Sequence, residues 1–169
     1  NHFTKASLEY MLRNAGFAVR EIDDTCHNGA FIIVAEKIAE AKQSEVNRDE
    51  VEKAVSSSQK VAVYWTDMAA GIREFELGIA ENNTVAIYGA GFYGAFILGC
   101  LSDADKVVCL MDQNPHLWGR KMRGVPVVSP AELPAEVDTV LVGLNPAHAH
   151  NIISAITALG NRDINYFYL

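Results

Sequence analysis

The chain has 169 residues, of which 50% are hydrophobic and 21% are charged, so it can bury a core and global disorder is excluded. The formal net charge of −7 at pH 7 argues against binding to a nucleic-acid backbone, which needs a surplus of Lys and Arg. Cys26, Cys100 and Cys109 form no CxxC pair, which predicts a reduced, cytoplasmic protein without disulfides or a zinc site. No apolar run reaches the ~18–20 residues that a membrane span needs.

The first region, residues 1–37, is predicted to form a helix and two strands. Thr4 is a suitable N-cap for a helix whose apolar face carries Leu8, Met11 and Leu12. Alternation over 17–22 and an apolar run over 31–35 predict an antiparallel strand pair, because the connection between them is short. Since the chain starts at Asn1 without Met, almost at a helix start, we expect it to be a fragment of a longer protein.

The second region, residues 38–82, is predicted to be a helical linker. It contains no Pro, and Asn47 followed by Glu50 resembles a capping box. Spacings of three and four residues place an apolar stripe on one helix face. Its members are Val61, Tyr64, Trp65, Met68, Ile72, Phe75 and Ile79. We expect this stripe to pack on a core, with a dimer contact as the alternative.

The third region, residues 83–169, alternates short apolar strands with helices. The predicted strands are 84–88, 106–111, 125–128, 139–142 and 164–168. The predicted helices are 95–101, a short one that starts at Pro130, and 146–159. Such alternation is typical of an α/β fold, a Rossmann-like parallel sheet of order 3-2-1-4-5 with helices on both faces. Pro126 favours an edge position for the third strand.

A glycine motif follows the first of these strands directly. Gly89, Gly91 and Gly94 match GxGxxG between a strand and a helix, a segment called here the glycine turn (Gly89–Gly94). Asp112 ends the next strand, at the distance expected for a carboxylate that binds a ribose. This context predicts a nucleotide or phosphate ligand. The alternative is a turn whose glycines serve packing only, which the bulky Phe92 and Tyr93 favour.

Other candidate groups are weaker. Arg120, Lys121 and Arg123 form a basic cluster that could hold a diphosphate or be a solvated loop. His148 and His150, two residues apart on a predicted helix, point in different directions and make a metal pair improbable. The sequence contains no Ser-His-Asp set, HExxH motif or carboxylate pair, so we predict no self-contained catalytic site and no metal site.

Several short motifs resemble the C-terminal region of the SAM-dependent C-methyltransferases that act on nucleotide-linked sugars. In the third region they are Tyr88-Gly89-Ala90, Gly94, Asp112-Gln113-Asn114-Pro115, Gly119 and Gly124-Val125-Pro126-Val127-Val128-Ser129-Pro130. In the first region they are His2-Phe3-Thr4, Ser7-Leu8, Ala15-Gly16-Phe17 and His27-Asn28-Gly29-Ala30. The chain departs from the family at Tyr93, where a Lys is usual, and at 27–30, where the family has His-Gly-Gly-Ser.

The resemblance implies a three-part organisation. Residues 1–37 would be the tail of a class I methyltransferase domain, 38–82 a linker, and 83–169 an accessory Rossmann-like domain that helps bind a nucleotide-sugar. The parent protein would use SAM, whose site and the catalytic residues would lie upstream of Asn1, so this fragment would hold no cofactor and methylate nothing alone. Its partners would be a small nucleotide or nucleotide-sugar and the rest of the methyltransferase domain, not nucleic acid or a membrane.

The motifs and the resemblance together define the expected ligand contacts. The predicted binding residues are Tyr88, Gly89, Gly91, Tyr93, Gly94, Asp112, Asn114, Arg120 and Asn145. Two alternative functions remain open at this stage. One is an NAD(P)-binding oxidoreductase or redox-sensing domain, based on the glycine motif and Asp112. The other is a homodimerisation module with an empty turn, based on the apolar stripe from Trp65 to Phe75.

Overall fold

The computed structural model describes residues 3–27, 30–38, 47–160 and 162–169. The chain divides into two compact units, called here unit 1 (Asn1–Val63) and unit 2 (Tyr64–Leu169). Unit 2 starts earlier than the Rossmann-like region predicted from residue 83, because Ile72 and Phe75 of the preceding helix pack into its core.

Unit 1 begins with the predicted helix α1, Lys5–Asn14. Thr4 caps it as expected: the Ser7 backbone N–H donates to Thr4 Oγ1 at 3.1 Å, and the Thr4 N–H donates to Ser7 Oγ at 2.9 Å. The chain then turns at Gly16, which has a φ of 81° that favours glycine. None of the α1 residues is buried.

Strands β1 (Phe17–Asp23) and β2 (Ile32–Lys37) form the predicted antiparallel pair. Within the described residues this pair is a separate two-stranded sheet. Ile32 and Val34 are 56% and 54% exposed, so this apolar face of β2 is not covered. A lone two-stranded sheet is marginally stable in water, and no hydrophobic side chain is buried among the residues of unit 1 that the structure describes.

Helix α2 runs without interruption from Arg48 to Gly78 and therefore through the Ser56–Ser58 segment. At its start, the Asp49 N–H donates to Asn47 Oδ1 at 3.0 Å. Ile72 is fully buried, whereas Val61 at the beginning of the apolar stripe is 56% exposed. The stripe thus packs on a core only in its second part, which belongs to unit 2.

Unit 2 contains a six-stranded, mostly parallel sheet of the order β5-β6-β4-β3-β7-β8. The strands are β3 (Thr84–Tyr88), β4 (Val107–Met111), β5 (Lys121–Met122), β6 (Val125–Val128), β7 (Val137–Val142) and β8 (Asn165–Tyr168). The five parallel strands confirm the predicted order 3-2-1-4-5. This is a Rossmann-like arrangement.

The edge at β6 differs from the prediction. The two-residue β5 pairs antiparallel with β6 through a hairpin, so β6 is not the outermost strand. Arg123 and Gly124 form the hairpin turn with φ values of 50° and 90°, the combination of a type I′ turn. Pro126 lies opposite Lys121 and is tolerated because β5 is so short.

The helices of unit 2 are α3 (Phe92–Cys100) and α4 (Ala149–Ser154), beside the second half of α2. The α4 helix is shorter than the predicted 146–159. Ser129 caps a single 3₁₀ turn, Pro130–Glu132, with the capping box completed by Glu132.

The core of unit 2 lies on both faces of the sheet. Tyr88 on β3 packs on the face that α4 covers with Ala149. Its neighbour Ile87 packs on the opposite face, where α2 and α3 contribute Ile72 and Ile97. Each fully buried aliphatic side chain of this kind stabilises the fold by about 1.5–3 kcal/mol. The predicted helices on both faces are confirmed.

Two charged side chains of unit 2 form hydrogen bonds with backbone groups. The sequence predicted neither of these sets of hydrogen bonds. The Arg162 guanidinium donates to the carbonyl oxygens of Leu133, Pro134, Ala135 and Val137 at 2.8–3.0 Å. The Glu76 carboxylate on α2 accepts from the backbone N–H groups of Ser102 and Asp103 at 2.9 Å. Both connect segments far apart in the sequence.

Cys109 is buried, Cys100 is half-buried and Cys26 is exposed. Burial, with a smaller contribution from the Glu136 charge, raises the pKa of the Cys109 thiol to about 11. Among the helices that the structure describes, none combines the length and apolar character needed to span a membrane. The cytoplasmic location stays a prediction.

Candidate functional site

The glycine turn connects β3 to α3 at the carboxyl edge of the sheet. Gly89 has a φ of 99°, and its N–H donates to the Met111 carbonyl oxygen at 2.7 Å. A Cβ at this position would overlap the Gly143 carbonyl oxygen, and a Cβ at Gly94 would overlap the Gly89 carbonyl oxygen. Both positions therefore require glycine because backbone atoms approach them closely.

Gly143, immediately after β7, completes this contact. A Cβ at Gly143 would lie 2.6 Å from the backbone N of Gly94, and the Gly143 N–H donates to the Tyr88 carbonyl oxygen at 2.7 Å. The three glycines hold the ends of β3 and β7 against the start of α3. Gly143 was not among the predicted site residues, although its place directly after the predicted fourth strand was the available signal.

Gly91 differs from these three glycines. No atom lies within 4 Å of a Cβ placed there, so packing does not explain it. Gly91 is the N-cap of α3, and no side chain caps the helix. The first N–H groups of an α-helix have no intrahelical acceptor, and the helix dipole places partial positive charge there. The start of α3 can therefore accept an anionic group.

Asp112 lies beside the turn, as predicted. Its Oδ2 accepts from the Ala90 N–H at 2.8 Å and its Oδ1 accepts from the Asn114 N–H at 2.8 Å. The indole N–H of Trp118 donates to the Asp112 carbonyl oxygen at 2.7 Å. Each carboxylate oxygen can accept a further hydrogen bond, so this half-buried carboxylate can also bind ribose hydroxyls.

Tyr88 and Asn114 have mainly structural contacts. Tyr88 is 2% exposed, and burial, assisted by the charge of Asp112, raises the pKa of its hydroxyl to about 12. The hydroxyl therefore stays protonated near neutral pH and cannot act as a general base. The Asn114 Oδ1 accepts from the His116 N–H at 3.0 Å and caps a short 3₁₀ helix.

Aromatic rings surround the start of α3. Trp65 on α2 contacts Phe92, Tyr93 and Phe96, with ring centroids 5.3, 5.8 and 4.8 Å away. The two bulky residues of the turn thus pack against α2, in T-shaped and tilted geometries typical of aromatic pairs. For Tyr93, predicted to bind the ligand, the described contact is with Trp65 and Phe92.

Arg123 of the predicted basic cluster lies away from the glycine turn. Arg123 lies over α3 near its C-terminal end, where its Nη1 is 3.0 Å from a Cβ placed at Gly99. It is therefore at the opposite end of α3 from the glycine turn. Arg120 is exposed, and its carbonyl oxygen accepts from the Val127 N–H at 2.8 Å.

Asn145 lies at the carboxyl edge, two residues after Gly143 in the chain. Its Oδ1 accepts from the Ala147 N–H at 3.0 Å, and its carbonyl oxygen accepts from the N–H groups of His148 and Ala149. Asn145 thus shapes the turn before α4. His150 stacks on Tyr168 with ring centroids 3.7 Å apart. No group of three potential metal ligands occurs within residues 3–27, 30–38, 47–160 and 162–169.

No protein-family model and no curated protein matches the chain. Solved structures that resemble it include the UDP-D-quinovosamine 4-dehydrogenase of Vibrio fischeri. That likeness has 19% sequence identity and a TM-score of 0.40 over 52% of this chain and 78% of the other.

Two structures of RSP, a Rex-family repressor, one of them in complex with β-NADH, also resemble the chain. Both have 20% identity and a TM-score of 0.38 over 55% of this chain. The match spans about half of the repressor's length, 55% and 56%. The Rossmann-like assignment of unit 2 rests on its own strand order.

Proposed function

We propose that unit 2 is an accessory nucleotide-binding domain, and that its ligand is the nucleoside diphosphate part of a nucleotide-sugar. The observation that carries the proposal is the uncapped start of α3 at Gly91, with open space above it and the Asp112 carboxylate beside it. The other glycines of the turn are explained by packing, whereas Gly91 is explained by the approach of a ligand.

The chemistry of these groups suits the two halves of a nucleoside diphosphate. The N–H groups of Phe92 and Tyr93 in the first turn of α3 would donate to the phosphate oxygens. The Asp112 carboxylate would accept from ribose hydroxyls while keeping its bonds to Ala90 and Asn114. Both kinds of contact are binding contacts, so the role that we propose for the site is binding.

We further propose that the parent protein is a SAM-dependent methyltransferase and that unit 1 is the tail of its methyltransferase domain. The motif resemblance supports this assignment. The uncovered surface of unit 1 supports it as well, because Met11, Ile32 and Val34 are 50–56% exposed and need a larger sheet or helix layer to cover them. SAM and the catalytic residues would then belong to the rest of the parent protein.

A dinucleotide such as NAD is the second candidate. It is favoured by the position of Asp112 at the end of β4, next to the glycine turn, where a carboxylate can bind the adenosine ribose. The remaining alternative, a dimerisation module with an empty turn, predicts that no nucleotide binds.

Calorimetric titration of the 169-residue chain with UDP, dTDP, NADH and SAM separates these functions. We expect UDP or dTDP to bind, and the affinity to fall about tenfold in Asp112→Asn, which weakens a charge-assisted hydrogen bond. Asp163→Asn is the matched control, because Asp163 is exposed and distant from the turn in sequence.

The other possible results of these titrations favour other functions. NADH binding without UDP or dTDP binding would favour the dinucleotide. Binding of SAM would contradict the placement of the SAM site outside this chain. A dimer in light scattering that binds none of the four compounds would favour the dimerisation module.

A further inference from the structure

Unit 2 has a second concave feature besides the glycine turn, an open cavity of about 480 Å³. Tyr64 and Asp67 of α2, Pro146 after β7, and Phe167 and Tyr168 of β8 are among the residues that line it. Val142 pairs with Tyr168 at the ends of β7 and β8, so the cavity opens at the carboxyl edge of the sheet. Its volume lies within the range of ligand pockets, about 300–1,000 Å³.

Two connections place this cavity next to the glycine turn. Pro146 lies three residues after Gly143 in the chain, and Gly143 contacts Gly89 and Gly94. On the α2 side, the Tyr64 ring lies 5.2 Å from Trp65, which in turn contacts Tyr93 of the turn at 5.8 Å. A ligand with its diphosphate at the start of α3 can therefore extend its far end toward the cavity.

Three residues that line the cavity are aromatic, and two of their rings are stacked on other rings. Phe167 stacks on Phe75 with centroids 4.5 Å apart, and Tyr168 stacks on His150 at 3.7 Å. Walls held in this way require little ordering when a ligand binds.

The charged side chain that lines the cavity is negative. Asp67 is the only charged residue among those that line the cavity. It is exposed, and in the part of the chain that the structure describes no hydrogen bond or ion pair reaches its carboxylate. In a cavity lined by a carboxylate and aromatic rings, a cation can form an ion pair with the carboxylate and a cation–π contact with a ring face.

We propose that this cavity binds the terminal ring of the nucleotide ligand and prefers a ring that carries a positive charge. The inference rests on the proposed function, because the diphosphate at α3 positions the ring. Two ligands supply this chemistry: the protonated amine of an amino sugar in a nucleotide-sugar, and the pyridinium ring of NAD⁺ in a dinucleotide.

The test is calorimetric titration of the whole chain with ligand pairs that differ in charge at the terminal ring. UDP alone reports on the diphosphate site, UDP-glucosamine against UDP-glucose tests the sugar source, and NAD⁺ against NADH tests the dinucleotide source. We expect the cationic member of one pair to bind about fivefold to tenfold more tightly. Asp67→Asn should reduce that ratio to about one or two, whereas Glu74→Gln, an exposed change on the same helix outside the cavity, should preserve it.

The outcomes separate the two proposals. A preference that appears in the sugar pair and is lost in Asp67→Asn supports both. The same preference in the NAD⁺ pair supports the cavity while transferring the site to the dinucleotide. If UDP binds but neither pair shows a preference, or if Asp67→Asn keeps it, the cavity proposal is overturned and the proposed function stands. If none of the ligands binds, both proposals fail.

Discussion

The two units of this chain have comparable local signals and very different burial. In unit 1, α1 is capped by Thr4 and β1 pairs with β2, yet every buried hydrophobic side chain of the described residues lies in unit 2. Unit 2 has the same kinds of caps and turns, with a sheet covered on both faces. Local signals are therefore sufficient to define elements, whereas a stable domain also needs a surface that covers them.

The largest expected difference concerns the glycine contact that joins β3, α3 and β7. Gly94→Ala should lower the free energy of unfolding of unit 2 by about 4 kcal/mol, because the new Cβ overlaps the backbone of Gly89 and cannot be relieved by a side-chain rotation. Thermal and urea unfolding followed by tryptophan fluorescence measure this. Gly71→Ala, in open space within α2, is the matched control and should be neutral or stabilising by up to about 1 kcal/mol. Equal effects would contradict the account.

The same truncation in the two units tests their difference in burial directly. Ile72→Ala removes a fully buried side chain from unit 2 and should cost about 3 kcal/mol. Ile32→Ala removes one that is 56% exposed in unit 1, and it should shift the unfolding midpoint of unit 2 by no more than the error of the measurement. A large effect of Ile32→Ala would mean that unit 1 has a core.

The Glu76 carboxylate should make the stability of unit 2 depend on pH. Although burial of the carboxyl acts in the opposite direction, the N–H groups of Ser102 and Asp103 lower its pKa below the usual 4.5. Because the folded-state pKa is the lower one, its contribution is present above 4.5 and is lost as the pH falls through the folded-state value. Glu76→Gln should cost about 1–2 kcal/mol at pH 7 and show a smaller decline in acid. Parallel pH profiles for the two proteins would argue against this role.

The smallest expected difference between the two units concerns one capping box in each. Ser129 and Thr4 both form capping boxes, one in each unit. Ser129→Ala should lower the stability of unit 2 by about 1 kcal/mol. Thr4→Ala should reduce only the helical circular dichroism signal and leave the cooperative unfolding transition unchanged. If both variants shift that transition equally, the two units fold together.

The sequence was sufficient for the strand order and the glycine turn because their signals are local and periodic. Gly89 and Asp112 could be assigned because each follows a short apolar strand. The helical linker predicted over 38–82 corresponds to α2, which continues through Ser56–Ser58 because the neighbouring residues favour a helix. The short α4 was overestimated because its apolar spacing continues beyond Ser154.

The parts of the candidate site that sequence could not supply depend on contacts between distant segments. Gly143 meets Gly94 only when β7 lies beside β3. Arg123 belongs to a basic run in the sequence, but the hairpin turn directs it toward Gly99 and away from the glycine turn. The cavity at Asp67 joins α2 to β8, and no sequence motif connects those two elements.

The most direct test of the account is an amide NMR titration of the ¹⁵N-labelled 169-residue chain with UDP. The largest shifts should occur at Phe92 and Tyr93, whose N–H groups would donate to the phosphate oxygens, and at the adjacent Gly91, with a smaller change at Ala90 as Asp112 engages the ribose. If those amides do not move at saturating UDP, or if the largest shifts fall in unit 1, the start of α3 is not the binding site and the central claim is wrong.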